Sequence, residues 1–120
     1  MADSLLVIIT KPPYGTEDAF AGLRLALSQI AGGMVDRSDA ILIEDGAFNA
    51  IGDQRSDVIE MPSNVEAIED LLDMGCTVYC VSEGLKVRGI ANDKLMEGLS
   101  IISKVEVSDL VSEYDLIASF

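Results

Sequence analysis

"TVYCVSEGLKVRG", residues 77–89, is the stretch on which the fold turns. A short apolar run ends at Cys80, and a serine, a glutamate and a glycine follow at once. Segment 76–82 reads as a strand, and the break after it predicts a helical turn starting near Glu83. Upstream, Pro62 and Ser63 open a helix in which Glu66 completes a capping box. Val65, Ile68, Leu71 and Leu72 form its apolar stripe, and Gly75 closes it.

Further out, the alternation repeats. "SLLVIIT" (4–10) is a continuous aliphatic run, as in a strand buried on both faces. "KPPYGT" (11–16) breaks it, and Thr16 is placed to cap a helix with Glu17 and Asp18 in its first turn. Phe20, Leu23, Leu27 and Ile30 recur at helical spacing until Gly32 and Gly33. "DAILIED" (39–45) reads as the second strand, and 46–58 is irregular, a short helix followed by a loop. Beyond a helical turn near Asn92 or Asp93, "SKVEV" (103–107) reads as a fourth strand, Ser108 as a cap, and "YDLIASF" (114–120) as a fifth strand. Strands alternating with helices across short loops predict an α/β fold, a parallel sheet covered on both faces, built as a single domain over 1–120.

Composition narrows the function. Eight basic residues against 21 acidic ones give a net charge of −13, which repels phosphate backbones and anionic lipid. No direct nucleic-acid partner is expected, and a basic protein partner suits such a surface. The longest aliphatic run, Leu5 to Ile9, is far too short to span a bilayer, and nothing at the N-terminus resembles a secretory leader. These features point to a cytoplasmic chain. With 49% hydrophobic residues, part of the apolar surface is expected in subunit contacts.

The chain has no histidine and two cysteines, which excludes Ser-His and Cys-His pairs and a zinc cluster. No metal and no organic cofactor is expected. On one strand Cys76 and Cys80 would lie ~13 Å apart at ~3.3 Å per residue. That exceeds the ~7 Å Cα separation a disulfide tolerates. Cys76 reads as a small core residue.

Ligands of open α/β sheets bind beyond the carboxyl ends of the strands. Lys11 to Thr16, Glu44 to Asn49 and Cys80 to Gly84 should gather there. Cys80 admits two readings, a buried small hydrophobe or a thiol activated by a helix N-terminus with Lys11 nearby. Tyr14, Asp45 and Ser82 are its expected pocket neighbours by the same strand-end logic. Lys86 and Arg88 read as a solvated helix face. A phospho-acceptor receiver domain would need an aspartate where Cys80 stands and an acidic pair where Lys11 and Pro12 stand.

Four segments, in order and spacing, carry a likeness to a known family: "PPYGT" after the first strand, "EDGAFNAI" after the second, "CVSEGLKVRG" after the third, and the closing "YDLIASF". The chain resembles the DsrE/DsrF family, which includes the TusB, TusC and TusD subunits of a sulfur-relay complex. The resemblance implies a three-layer α/β/α sandwich around a parallel five-stranded sheet. It also implies assembly into homo-trimers, homo-hexamers or hetero-hexamers with related subunits. In DsrE-like and TusD-like members a cysteine at the end of the third strand carries sulfur as a persulfide, taken from a donor protein and passed to an acceptor protein. Cys80, five residues before Leu85, matches that cysteine's offset. The "DG-x-F", the "LKVRG" turn and the ending match the DsrF-like and TusC-like subunits, which do not use a cysteine. The resemblance therefore implies either a sulfurtransferase-like persulfide carrier acting through Cys80 or a non-catalytic assembly subunit of the same kind of complex.

Overall fold

A computed structural model describes residues 3–120. Its five strands are β1 (Ser4–Ile9), β2 (Arg37–Leu42), β3 (Val78–Val81), β4 (Ser100–Ile102) and β5 (Leu116–Ser119). All pair in parallel, in the order β4-β3-β2-β1-β5. The helices are α1 (Asp18–Ala31), α2 (Asn64–Asp73), α3 (Ser82–Val87) and α4 (Val107–Val111), with a 3-10 helix over Glu44–Ala50. The fold is the expected α/β/α sandwich.

Side chains of successive strand residues point to opposite faces. Leu5, Val7, Ile9, Leu42, Val78 and Cys80 therefore pack against α1 and α2 in the larger core. Leu6, Ile41 and Val81 face the other way, with Leu110 of α4 and Tyr114. Among the described residues that second face has far thinner helical cover, the five-residue α4, and Ile8, Ile43, Tyr79 and Ile102 stay only partly buried. No helix among the described residues is long and apolar enough to cross a membrane.

Several boundaries differ from expectation, each for a local reason. The fourth strand lies at Ser100–Ile102 rather than 103–107. There Ser103 and Glu106 form a reciprocal capping box, which turns Lys104–Glu106 into a 3-10 helix. Ser108 is consequently inside α4 and does not cap it. Thr16 does not cap α1 either: Tyr14 and Gly15 both take left-handed backbone, and the helix starts only after Glu17. On α1 the buried face centres on Ala19, Gly22, Leu23 and Ala26, with Phe20, Leu27 and Ile30 at its margins. Ser63 caps α2, accepting from the Glu66 N–H at 3.1 Å, but the Glu66 side chain does not return the bond, so the expected capping box is half formed.

The end of β2 positions the site. The strand stops at Leu42, and Glu44 turns left-handed at φ 50° into the 3-10 helix. The Ile43 N–H donates to the Ile9 carbonyl at 3.0 Å, pinning this turn to the end of β1. Gly46 lies so close that a Cβ there would run into that same carbonyl. Only glycine permits so tight a backbone approach.

Candidate functional site

A cleft of about 530 Å³ opens at the carboxyl ends of β2 and β3, on the thinly covered face. Ile43, Val81, Val87 and Val107 supply its apolar wall, and Glu44, Glu83, Arg88 and Lys104 its charged rim. Arg88 is held in place. Its Nε donates to Asp45 Oδ1 at 3.0 Å, and a terminal nitrogen donates to the Gly84 carbonyl at 3.2 Å. Glu83 accepts from the Ser82 hydroxyl at 2.8 Å and from the Lys104 N–H at 2.9 Å. These bonds, the Ser82 contact first, hold its carboxyl below the usual range.

Cys80 does not open into this cleft. One residue before Val81, it points to the opposite face, is 0% exposed, and packs in the α1–α2 core. Burial pushes its thiol up to about 11, only partly opposed by the Val81 N–H. At neutral pH the group is a protonated thiol among apolar side chains. α3 begins at Ser82 but does not yield a thiolate: desolvation is the larger influence at the sulfur. Cys76 is likewise buried, and its thiol is raised by desolvation and then by the Asp39 carboxylate.

The other expected neighbours divide between two places. Asp45, exposed, reaches the cleft rim through Arg88, and Ser82 stands at the start of α3 beside Glu83. Lys11 and Tyr14 lie elsewhere. The Lys11 carbonyl accepts from Asn49 Nδ2 at 2.9 Å, while the residue itself is exposed. Tyr14 lines a second cavity of about 200 Å³ with Phe20, Met61 and Asn64, between α1 and α2. Its buried hydroxyl has no protein partner. The five residues do not converge on one pocket. Glu83 belongs to the Cys80–Gly84 segment expected at this edge, whereas Arg88 and Lys104 are site residues the sequence does not single out; Lys86 is the solvated cation expected, but Arg88 is not.

Among the described residues no group of three or more Cys, Asp or Glu side chains is arranged to hold a metal ion. The arrangement offers recognition through an apolar trough with paired charges along its edge.

A parallel five-stranded α/β/α sandwich with an apolar cleft at its strand ends defines the class. The profile of the DsrE/DsrF-like family matches residues 3–120, and the chain belongs to that family. It is 30% identical over 118 residues to an uncharacterized protein of Methanopyrus kandleri, covering 98% of this chain and 94% of that one. It is 27% identical over 117 residues to the Protein TusC homolog of Pseudomonas aeruginosa, covering 96% of each. The crystal structure of the ychN protein from E. coli superposes with a TM-score of 0.87 at 22% identity, covering 98% of this chain and 99% of that one. At that identity the likeness concerns the fold.

Proposed function

We propose that this chain is a subunit of a sulfur-relay assembly and that it serves there as a non-catalytic assembly subunit. Family membership and the similarity to a TusC homolog support the sulfur-relay setting. The burial of Cys80 supports the non-catalytic role. Sulfur exchange needs a thiolate that a partner can reach. This thiol is enclosed and held in its protonated form. Protein partners are donors and acceptors of the relay, together with further copies or related subunits.

A second reading keeps Cys80 as the carrier, because it ends β3 directly ahead of α3 and receives the Val81 N–H. In that reading the Cys80 thiolate attacks the outer sulfur of a donor persulfide. The donor's S–S bond breaks, the donor leaves as a thiolate, and Cys80 becomes a persulfide with no external oxidant. The step requires the core that encloses Cys80 to open first.

Mass spectrometry after incubation with inorganic polysulfide distinguishes the two. The assembly reading expects no sulfur added at Cys80 in the native protein, and alkylation of that residue only after unfolding. Addition of one sulfur atom to native protein, lost in Cys80→Ser, overturns it in favour of the carrier.

A further inference from the structure

We propose that the cavity between α1 and α2 binds a small molecule carrying a primary ammonium group on a short apolar body. The inference is separate from the sulfur chemistry and holds or fails whatever Cys80 does.

The polar atoms of the lining set the sign of the ligand. Asn64 lines the cavity and is only 2% exposed. Its Nδ2 donates to Asn49 Oδ1 at 2.7 Å. Asn49 in turn uses its own Nδ2 on the Lys11 and Gly46 carbonyls, at 2.9 and 3.0 Å. These bonds orient both amides, because Asn49 has only its oxygen left to offer Asn64. Asn64 Oδ1 is thereby an acceptor, and no donor among the described residues is bonded to it. The Tyr14 hydroxyl, buried and also without a protein partner, is a second acceptor. Glu17 is the one charged residue of the lining, which includes no lysine or arginine. A ligand matching such a set donates several N–H bonds and is positively charged. The N-termini of α1 and α2 favour anions, but Asp18 and Glu66 in their first turns already answer them.

The walls set the rest. Tyr14 and Phe20 contribute aromatic rings, and Met61 and Pro62 apolar surface. Ring faces attract ammonium groups, and Arg24, outside the lining, already stands 6.0 Å from the centre of the Phe20 ring. Tyr14 has φ 65°, left-handed backbone that is costly for a bulky aromatic residue and persists where a side chain must be aimed at a site. The volume of about 200 Å³ admits roughly six or seven non-hydrogen atoms, at ~30 Å³ each.

Amide-resolved NMR titrations at neutral pH with n-pentylammonium, 1-pentanol and pentanoate test this. The proteins are wild type, Glu17→Gln, Ala21→Met and a control, Asp73→Asn. Glu17 makes no side-chain cap bond and Ala21 is an exposed helix position that also lines the cavity, so both variants keep the fold, which circular dichroism checks. Asp73 is an exposed carboxylate at the last residue of α2. The expected result is saturable shifts with pentylammonium, centred on the amides of Phe20, Ala21, Met61 and Asn64. The alcohol and the carboxylate should bind about tenfold more weakly or not at all. Glu17→Gln should weaken the amine by about fivefold, Ala21→Met should abolish its binding, and Asp73→Asn should leave it unchanged. The absence of saturable shifts with the amine overturns the proposal. So does equal binding of the alcohol or the carboxylate, binding retained in Ala21→Met, or an equal loss in Asp73→Asn and Glu17→Gln.

Discussion

Arg88 on the residue after α3 and Asp45 in the turn after β2 meet at 3.0 Å, joining two segments 43 residues apart in the chain. The carboxylate is 60% exposed and the guanidinium 21%. An exposed ion pair contributes about 0–1 kcal/mol. Asp45→Ala should therefore cost at most about 1 kcal/mol, and less at high salt. Arg88→Ala also removes the bond to the Gly84 carbonyl and should cost about 1–2 kcal/mol. Urea titration of the single and double variants at two salt concentrations checks both the order and the coupling.

Cys80 imposes a pH dependence. Its folded thiol titrates at about 11 against an ordinary value of 9.0. The protonated form is the one the fold favours, so the contribution is fully present below pH 9.0 and disappears as pH rises through about 11. Two units correspond to about 2–3 kcal/mol. Tyr114, raised chiefly by desolvation and then by its bond to Asp39, acts in the same direction at higher pH. Thermal melts from neutral to alkaline pH should show falling Tm in wild type and a flatter profile in Cys80→Ala. A steep profile retained in that variant would assign the effect to other groups.

Gly46 and Gly84 are both small residues near the cleft, with opposite expectations. At Gly46 a methyl group meets the Ile9 carbonyl, which is main chain and cannot yield, so Gly46→Ala should destabilise by about 2–3 kcal/mol. At Gly84 the nearest atoms to an added Cβ are 3.9 Å away. Gly84→Ala in α3 should be neutral or stabilising by about 0.5 kcal/mol. Denaturant midpoints of the pair settle the contrast.

At the other end of the sheet, Asp39 accepts from the Tyr114 hydroxyl at 2.5 Å, Arg37 Nε at 2.9 Å and the Thr77 N–H at 2.7 Å. The Arg37 guanidinium also stacks 4.4 Å from the centre of the Tyr114 ring. Tyr114→Phe removes one donor and should cost about 1–2 kcal/mol. Asp39→Ala strands three donors and should cost about 3–5 kcal/mol. Chemical denaturation in which Asp39→Ala proves the milder change would refute this account.

The apolar runs at 4–10 and 76–82 located β1 and β3, because strands buried on both faces show as unbroken hydrophobic stretches. β4 escaped notice for the opposite reason. Three residues, Ser100–Ile102, leave little pattern, whereas the alternating "KVEV" beside it imitates a strand while its capping pair makes a turn. Alternation along 79–81 shows that Cys80 points away from Tyr79 and Val81. Which face holds the deep core and which the cleft depends on the relative size of the helical layers, and that emerges only on folding. Arg88 was hidden similarly: its partner lies on a different loop, and nothing local distinguishes it from Lys86.

The turn after β2 is anchored to β1 by main-chain atoms, through the Ile43 N–H and the close seat of Gly46 on the Ile9 carbonyl. The trough is thus framed by backbone and merely upholstered by side chains. Descendants of such a chain are free to exchange Ile43 or Val87 and acquire new binding preferences while the opening stays where it is. A lineage can diversify its partners in this way without redesigning its architecture.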